Sequence, residues 1–306
     1  MNTLIEIQYI KHKDIDFVKW NQCIDEAHNC RMYGYDWHLD RTAVYWDALV
    51  FGEYEFVMPL PVRKKLGIKY IYQPLFSQQL GIFPKPSKQI TLKFYMFLYS
   101  HFKFADINLN SENLRLKEIR EIQFLPKNNF LLPLRKDYSE ISGFYSQNTR
   151  RNITKAIKNN LSIVQGIRLE DYMKFKSKNL QIGLEKGALN KLKNIIAFGQ
   201  YKGYGEIYGV YSTNNQLCAA VYFCRWKERV IYFNAASNEK GKELRAMHFL
   251  LDTFIQENAS RNLILDFEGS MIPGVARFYS GFGAKPETYY HLKFNRLPLP
   301  LRWLKK

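Results

Sequence analysis

LILDFEGSMIPGVARFYSGFG, residues 263–283, passes from an aliphatic run to two acids and on to a segment opened by proline. Leu263, Ile264 and Leu265 suit a strand covered on both faces, because such a strand has no solvent side to alternate with. Pro273 suits a first helical turn, where an N–H would have no partner within the helix. Asp266 and Glu268 therefore fall at the carboxyl end of a buried strand. In sheets flanked by helices that edge is where ligands usually bind, because loops there collect polar groups over a rigid support, so both acids are candidate ligand contacts. The plainer reading is a solvated turn whose charge favours a helix N-terminus.

The chain around this segment has 306 residues, enough for a large core and about two domains. Hydrophobic residues make up 46% and aromatics 16%, as in a folded protein. Forty-five Lys and Arg against 28 Asp and Glu give a formal charge of +17, which draws an anionic partner such as RNA, a phosphorylated cofactor or an acidic membrane. The cysteines, Cys23, Cys30, Cys218 and Cys224, lack C-x-x-C spacing and no H-E-x-x-H pair occurs, so no metal is expected. In LCAAVYFCRW, strand alternation puts Cys218 and Cys224 on one face with Ala220 and Tyr222, as core packing. The start, MNTLIEIQYIKHKD, has no cleavable apolar segment, and no apolar run approaches the ~20 residues of a membrane helix. A reduced, soluble, cytoplasmic protein is the expectation.

Periodicity divides the chain into two mixed α/β halves. The first holds a strand at Leu4 to Ile10, a helix at Ile15 to His28, extended chain from Ala48 to Val62 turning at Gly52, a helix at Gln89 to Phe102 and a strand at Ala105 to Leu109. EIQFLPKNNFLLPL reads as a hairpin turning at Pro126 to Asn129. An amphipathic helix over Ser142 to Asn160, with Ile153, Ala156, Ile157 and Leu161 at core spacing, links the halves. The second half begins with a strand at Leu161 to Ile167 and a helix-rich stretch from Asp171 to Gly199. Strands at Glu206 to Tyr211, Gln216 to Trp226 and Arg229 to Ala235 follow, with turns at Thr213 to Asn215 and at Lys227 and Glu228. A helix carrying Leu244, Met247, Leu251, Phe254 and Ile255 on one face leads into the opening stretch, and a strand at Tyr289 to Phe294 ends the series. The predicted division is 1–140 and 141–306.

A strand, a polar loop with glycine, a helix, a strand and a helix ending Tyr279-Ser280-Gly281-Phe282-Gly283 resemble the core of the GNAT acyltransferase superfamily. Two such units in tandem, with the basic helix NTRRNITKAIKNN and the ending DFEGS…GVARFYSGFGA, look like its Fem-type, FemAB-like branch. The likeness is strongest from Leu134 onward; before it, only element order and YQPLFSQQLG support it. The resemblance implies two GNAT-like units, each a mixed, mostly antiparallel sheet flanked by helices. It implies N-acyl transfer to an amine from a coenzyme A thioester or, alternatively, from aminoacyl-tRNA, with the acceptor held between the units. It also implies roles. Tyr279 protonates the leaving group, Glu268 or Asp266 takes the amine proton, and an N–H near Asn234 or Ala235, freed where the strand splays from its neighbour, stabilises the oxyanion. Asn238, Lys240, Gly241, Lys242 and Arg245 would face a pyrophosphate at a helix entry. The loop SNEKGKELRA departs from the Gln/Arg-x-x-Gly-x-Gly/Ala pattern: it has one glycine, then Glu243 and Leu244, which leaves room for another donor. The long helical arm of some cell-wall Fem proteins does not fit within Asp171 to Gly199.

Other groups extend the expected site. Arg150, Arg151, Lys155 and Lys158 concentrate positive charge along a helix, for phosphate or tRNA or simply as a solvated face. Gln73, Ser77, Gln78 and Gln79 offer amides and a hydroxyl to an acceptor, or form a polar loop over an aromatic core; Ser270 and Arg277 border the acids. Arg63, Lys64 and Lys65 beside Gly67 read as a hairpin tip. The segment NRLPLPLRWLKK has the mixture of leucine, tryptophan and cations found at membrane interfaces, against the plainer expectation of an arm packed on its domain. A non-catalytic binder of anionic polymer is the reading outside enzymes.

Overall fold

The structure is a computed structural model that describes residues 6–180 and 187–302. The chain condenses into two compact units, divided at Lys127/Asn128 and again at Glu287/Thr288, so the last stretch belongs with the first unit. This differs from the contiguous division at 140/141 because strand pairing, described below, carries the end of the chain back to the first sheet.

The first unit contains β1 (Ile7–Ile10), α1 (Phe17–Glu26), α2 (Asp36–Thr42), β2 (Trp46–Phe51), β3 (Phe56–Lys65), β4 (Ile68–Tyr72), α3 (Lys88–His101) and β5 (Phe104–Asn108). Leu4 and Ile5, part of the expected first strand, lie outside the described residues. Asp16 starts α1 by accepting from the Val18 and Lys19 N–H groups at 3.1 Å, and Ser87 caps α3 through Ile90. α2 has no such polar cap and leaves no local signal in the sequence. Strands β1 to β4 form an antiparallel series, and β4 then runs parallel to β5.

The chain leaves this unit through β6 (Gln123–Pro133), one continuous strand in place of the expected hairpin. Asn128 and Asn129 do not enter the left-handed backbone region that a two-residue hairpin turn requires. The second unit continues with α4 (Tyr138–Gly143), α5 (Gln147–Lys158), β7 (Ser162–Gln165), α6 (Leu169–Lys178), α7 (Ala188–Tyr201), β8 (Gly205–Tyr211), β9 (Leu217–Trp226) and β10 (Arg229–Ser237). After these come α8 (Glu239–Glu243), α9 (Ala246–Asn258), β11 (Ile264–Gly269), α10 (Pro273–Gly281), β12 (Lys285–Asn295) and the short α11 (Leu299–Arg302). The expected linking helix is two helices, because Ser146 caps α5 anew through the Thr149 N–H at 3.1 Å. Ile157, placed in the core by its spacing, points outward and is 57% exposed.

The second sheet repeats the pattern of the first: β7 to β10 are successively antiparallel, and β10 runs parallel to β11. Each unit then takes its closing strand from the other half of the sequence. In the first, β12 pairs antiparallel with β5, His291 opposite Asn108; in the second, β6 pairs antiparallel with β11, Leu132 opposite Leu265. The fold is mixed α/β, two tandem units of mostly antiparallel sheet flanked by helices.

One face of the second sheet packs on α5, α9 and α10 through Val221, Phe223, Tyr232, Phe267, Phe254 and Phe282. α6 and α7 serve the other, where the Tyr222 hydroxyl lies so close to Gly199 that a Cβ there would be 2.0 Å away. β9 carries an extra residue at Cys218, between the Val210/Ala219 and Tyr211/Leu217 pairs. This bulge breaks the alternation expected from Cys218 to Cys224: Cys218 joins the cluster of Val221 and Phe223. Both thiols are buried, as packing residues should be.

Candidate active site

The segment 263–283 folds as its composition dictates. Leu263, Leu265 and Phe267 are buried at 2% exposure or less, and Pro273 opens α10. β10 and β11 stay in parallel register from Arg229/Ile264 to Ile231/Asp266. Beyond that point their pairing ends, although β10 continues to Ser237 and β11 to Gly269. Two irregularities accompany the parting. β10 gains a residue, Phe233, between its Tyr232 and Asn234 pairs with β9, and β11 shifts register against β6 between Asp266 and Gly269. Glu268, inside the second shift, has φ +57°, a backbone region that L residues other than glycine adopt at a cost.

The acids behave differently. Asp266 is 2% exposed, accepts from the Arg229 guanidinium at 2.7 Å and, through its other oxygen, from the Glu268 N–H at 3.0 Å. It is engaged in an ion pair and a turn. Glu268 is half-buried, and its charge reaches Tyr279. Tyr279, 8% exposed on α10, stacks on Phe267 at 4.7 Å between ring centres and meets Tyr232 edge-on at 6.0 Å. Burial first, and the Glu268 charge second, hold its hydroxyl well above the ordinary tyrosine range, so it is protonated at neutral pH. The Glu268 charge thus reaches Tyr279 where the strands part, and Asp266 holds the Glu268 N–H.

On the β10 side, α6 supplies two donors. Tyr172 Oη donates to Asn234, with the side-chain oxygen at 2.7 Å and the carbonyl at 3.1 Å, and Lys176 Nζ donates to the Ala235 carbonyl at 2.7 Å. Burial lowers the Lys176 pKa. Neither contact is legible from the sequence, because α6 lies about sixty residues before β10 and its Lys-rich pattern reads as a solvated face.

The expected pyrophosphate cradle is built differently. Asn238 caps α8, accepting from the Gly241 N–H at 2.7 Å, and its backbone carbonyl accepts from Lys242 N. A Cβ on Gly241 would stand 2.2 Å from the Cys218 carbonyl, so this glycine lets α8 lie against β9 and any side chain would push the two apart. Lys240 pairs with Glu243 at 3.4 Å and Lys242 with Glu239 at 2.6 Å. Arg245, with φ +61°, separates α8 from α9 and donates through Nη1 to the Lys242 carbonyl. Within residues 238–242 the Gly241 and Lys242 N–H groups are therefore both taken up by Asn238.

Several of the remaining expected groups make structural contacts. Arg150 donates to the Ser142 and Gly143 carbonyls at the end of α4; Arg151 and Arg277 are exposed on α5 and α10. Ser270 Oγ accepts from Ile272 N at 3.1 Å, closing a turn. Gln73 bonds the Ser77 carbonyl and accepts from Asn108 N, Ser77 Oγ donates to Thr42 at 3.1 Å, the Gln78 carbonyl accepts from Asn108, and Gln79 accepts from Ser111 N. That loop is knitted together within the first unit. Among the described residues no group of three or more His, Cys, Asp or Glu side chains has the arrangement to hold a metal ion, and no helix is long and apolar enough to cross a membrane.

His248, on α9, is a pH-sensitive part of the packing against α10. Its ring meets Phe278 edge-on at 4.9 Å, and Nε2 faces Asn152 Nδ2 at 3.3 Å. Burial, reinforced by the Arg245 charge, holds its pKa down to about 4. The unfolded chain therefore takes up a proton near the ordinary pKa of 6.5 while the folded protein resists until about 4. Stability is expected to fall through that window on acidification, by up to about 3 kcal/mol from this residue. Urea unfolding of His248→Gln should show a flatter pH dependence there, converging on the parent's slope above neutrality.

No family model matches the sequence, and no curated protein is a significant match. Solved structures do match. The crystal structure of FemX superposes with a TM-score of 0.65 at 11% identity, covering 97% of this chain and 99% of that one. The fold is Fem-like. L-PGS from Bacillus licheniformis gives a TM-score of 0.54 at 10% identity, over 85% of this chain and 87% of that one. The C-terminal domain of a putative lysylphosphatidylglycerol synthetase from Agrobacterium fabrum also gives 0.54, at 7% identity, over 94% of this chain and 95% of that one.

Proposed function

We propose that the chain is an acyl-group transferase that moves an aminoacyl group from an ester donor, aminoacyl-tRNA, to an amine. The observation that carries the reading is the parting of β10 and β11 after Ile231/Asp266, with Glu268 and Tyr279 beside the opening. Backbone N–H groups on the edge of β10 past the bulge would stabilise the oxyanion as the amine nitrogen adds to the donor carbonyl carbon. Glu268 would take the amine proton. As the carbon–oxygen bond to the donor breaks, Tyr279 would protonate the leaving oxygen and recover a proton from Glu268, returning both groups to their starting states.

The leaving group separates the donors. A thiolate, with a parent pKa of about 8.5, departs without an acid, whereas a ribose alkoxide is far more basic and gains from protonation. A phenol held above its ordinary range matches the second better. The occupied cap at Asn238 argues in the same direction, the +17 charge suits a polyanionic donor, and the product named for the Agrobacterium protein is an aminoacylated molecule. An acyl-coenzyme A donor is the second reading, favoured by the resemblance to the GNAT superfamily.

Thermal unfolding and donor deacylation, each followed with aminoacyl-tRNA, acetyl-coenzyme A and uncharged tRNA, test this. Aminoacyl-tRNA should raise the Tm and lose its aminoacyl group when an amine is supplied. Turnover with acetyl-coenzyme A alone would replace the donor; turnover with neither would remove the transferase reading.

A further inference from the structure

We propose that the first unit carries a docking face for an anionic phospholipid bilayer, built from the β3–β4 hairpin tip and residues 295–302; it is independent of the reaction assigned above. Tyr70, Tyr72, Phe104 and Leu297 form a small apolar cluster, with Ile68 and Leu301 packed against it. Leu66, Ile68, Phe104, Leu297 and Leu301 line a depression whose wall is overwhelmingly apolar, and Leu66 and Leu299 stand out from this region, each 72% exposed.

Leu66 is the more telling. Lys65 pairs with Ile68, so Leu66 and Gly67 are the two turn residues, and both have positive φ, +50° and +78°. That turn favours asparagine or glycine at both positions. A leucine there is unfavourable for the backbone and exposes hydrocarbon to water, two costs that a solvated hairpin tip has no reason to carry.

Charge complements the leucines. The stretches 63–72, 102–104 and 295–302, which meet in the cluster, contain no Asp or Glu. Arg63 stacks on Tyr72 at 4.1 Å and Arg296 on Tyr99 at 4.3 Å, while Lys64, Lys65, Lys103 and Arg302 are exposed. Exposed cations around protruding leucines match a surface of anionic headgroups over acyl chains. RNA would satisfy the cations and leave the leucines in water, so the bilayer is the occupant the patch fits.

Co-sedimentation of the full chain with phosphatidylcholine vesicles, with and without phosphatidylglycerol, tests the proposal. The protein should bind only the anionic vesicles, less at high salt. Leu66→Asn should weaken partition roughly tenfold, the scale of removing one inserted leucine, while its Tm stays equal to the parent's or rises, because asparagine suits the turn. Lys64→Gln and Lys65→Gln should each cost roughly fivefold. No anionic-vesicle binding, equal binding to neutral vesicles, or full competition by RNA with Leu66→Asn unaffected would each overturn it.

Discussion

Tyr279→Phe is expected to lower aminoacyl transfer by about 10²–10⁴-fold, the usual contribution of a positioned proton donor, with little change in folding. The ring supplies the packing: it stacks on Phe267 and meets Phe130 and Tyr232, all contacts that phenylalanine keeps. Only the hydroxyl is lost. The effect should depend on the leaving group, so a donor ester with an activated, weakly basic leaving group should recover much of the rate in the variant while changing the parent little. Turnover and chemical unfolding measured on the same preparations decide it. Equal sensitivity to all leaving groups would assign the hydroxyl to positioning the donor and not to proton transfer.

Asp266→Ala should produce the largest loss of stability, up to about 3–5 kcal/mol, because it removes the nearest carboxylate from a largely buried guanidinium. Arg229 and Asp266 are 18% and 3% exposed at their side chains, and Glu287, the second carboxylate on this guanidinium, stands farther off at 3.9 Å against 2.7 Å for Asp266. The same substitution removes the acceptor for the Glu268 N–H, a bond that supports its left-handed backbone. Activity should therefore fall as well, through displacement of Glu268. Denaturant titration should show the stability loss directly. Replacing both partners with apolar residues, Arg229→Met with Asp266→Leu, should recover most of the stability without restoring turnover. If the double variant were fully active, Asp266 would have no part in placing Glu268.

The second unit is the more legible in the sequence, and the reason lies in particular residues. Leu263 to Leu265, the Pro273 start and the apolar stripe Met247, Leu251, Phe254 and Ile255 are local signals, each tied to its own element by burial or capping. Leu244, placed on that same stripe, lies before α9, because Arg245 interrupts the helix with a positive φ that no periodicity reveals. The hairpin expected over EIQFLPKNNFLLPL fails for a related reason: two asparagines and a proline are permissive of a turn but do not compel one, and long-range pairing with β11 keeps the chain straight. At the candidate site, the neighbourhood of Glu268 and Tyr279 follows from strand-to-helix order. The pairing of Asp266 with Arg229 across β10, and of Lys176 with Ala235, depends on tertiary register and has no local signature.

The exchange of closing strands ties the integrity of each half to residues encoded in the other. A polypeptide cut short at Glu287 would contain nearly all of the later half and still injure the earlier one, since Phe104 to Asn108 would become an open edge with unpaired backbone groups where β12 had lain. Lesions late in the reading frame should thus surface as misfolding or self-association of the amino-terminal half, a pattern that genetic truncation series would misattribute if the two halves were treated as separate beads on a string.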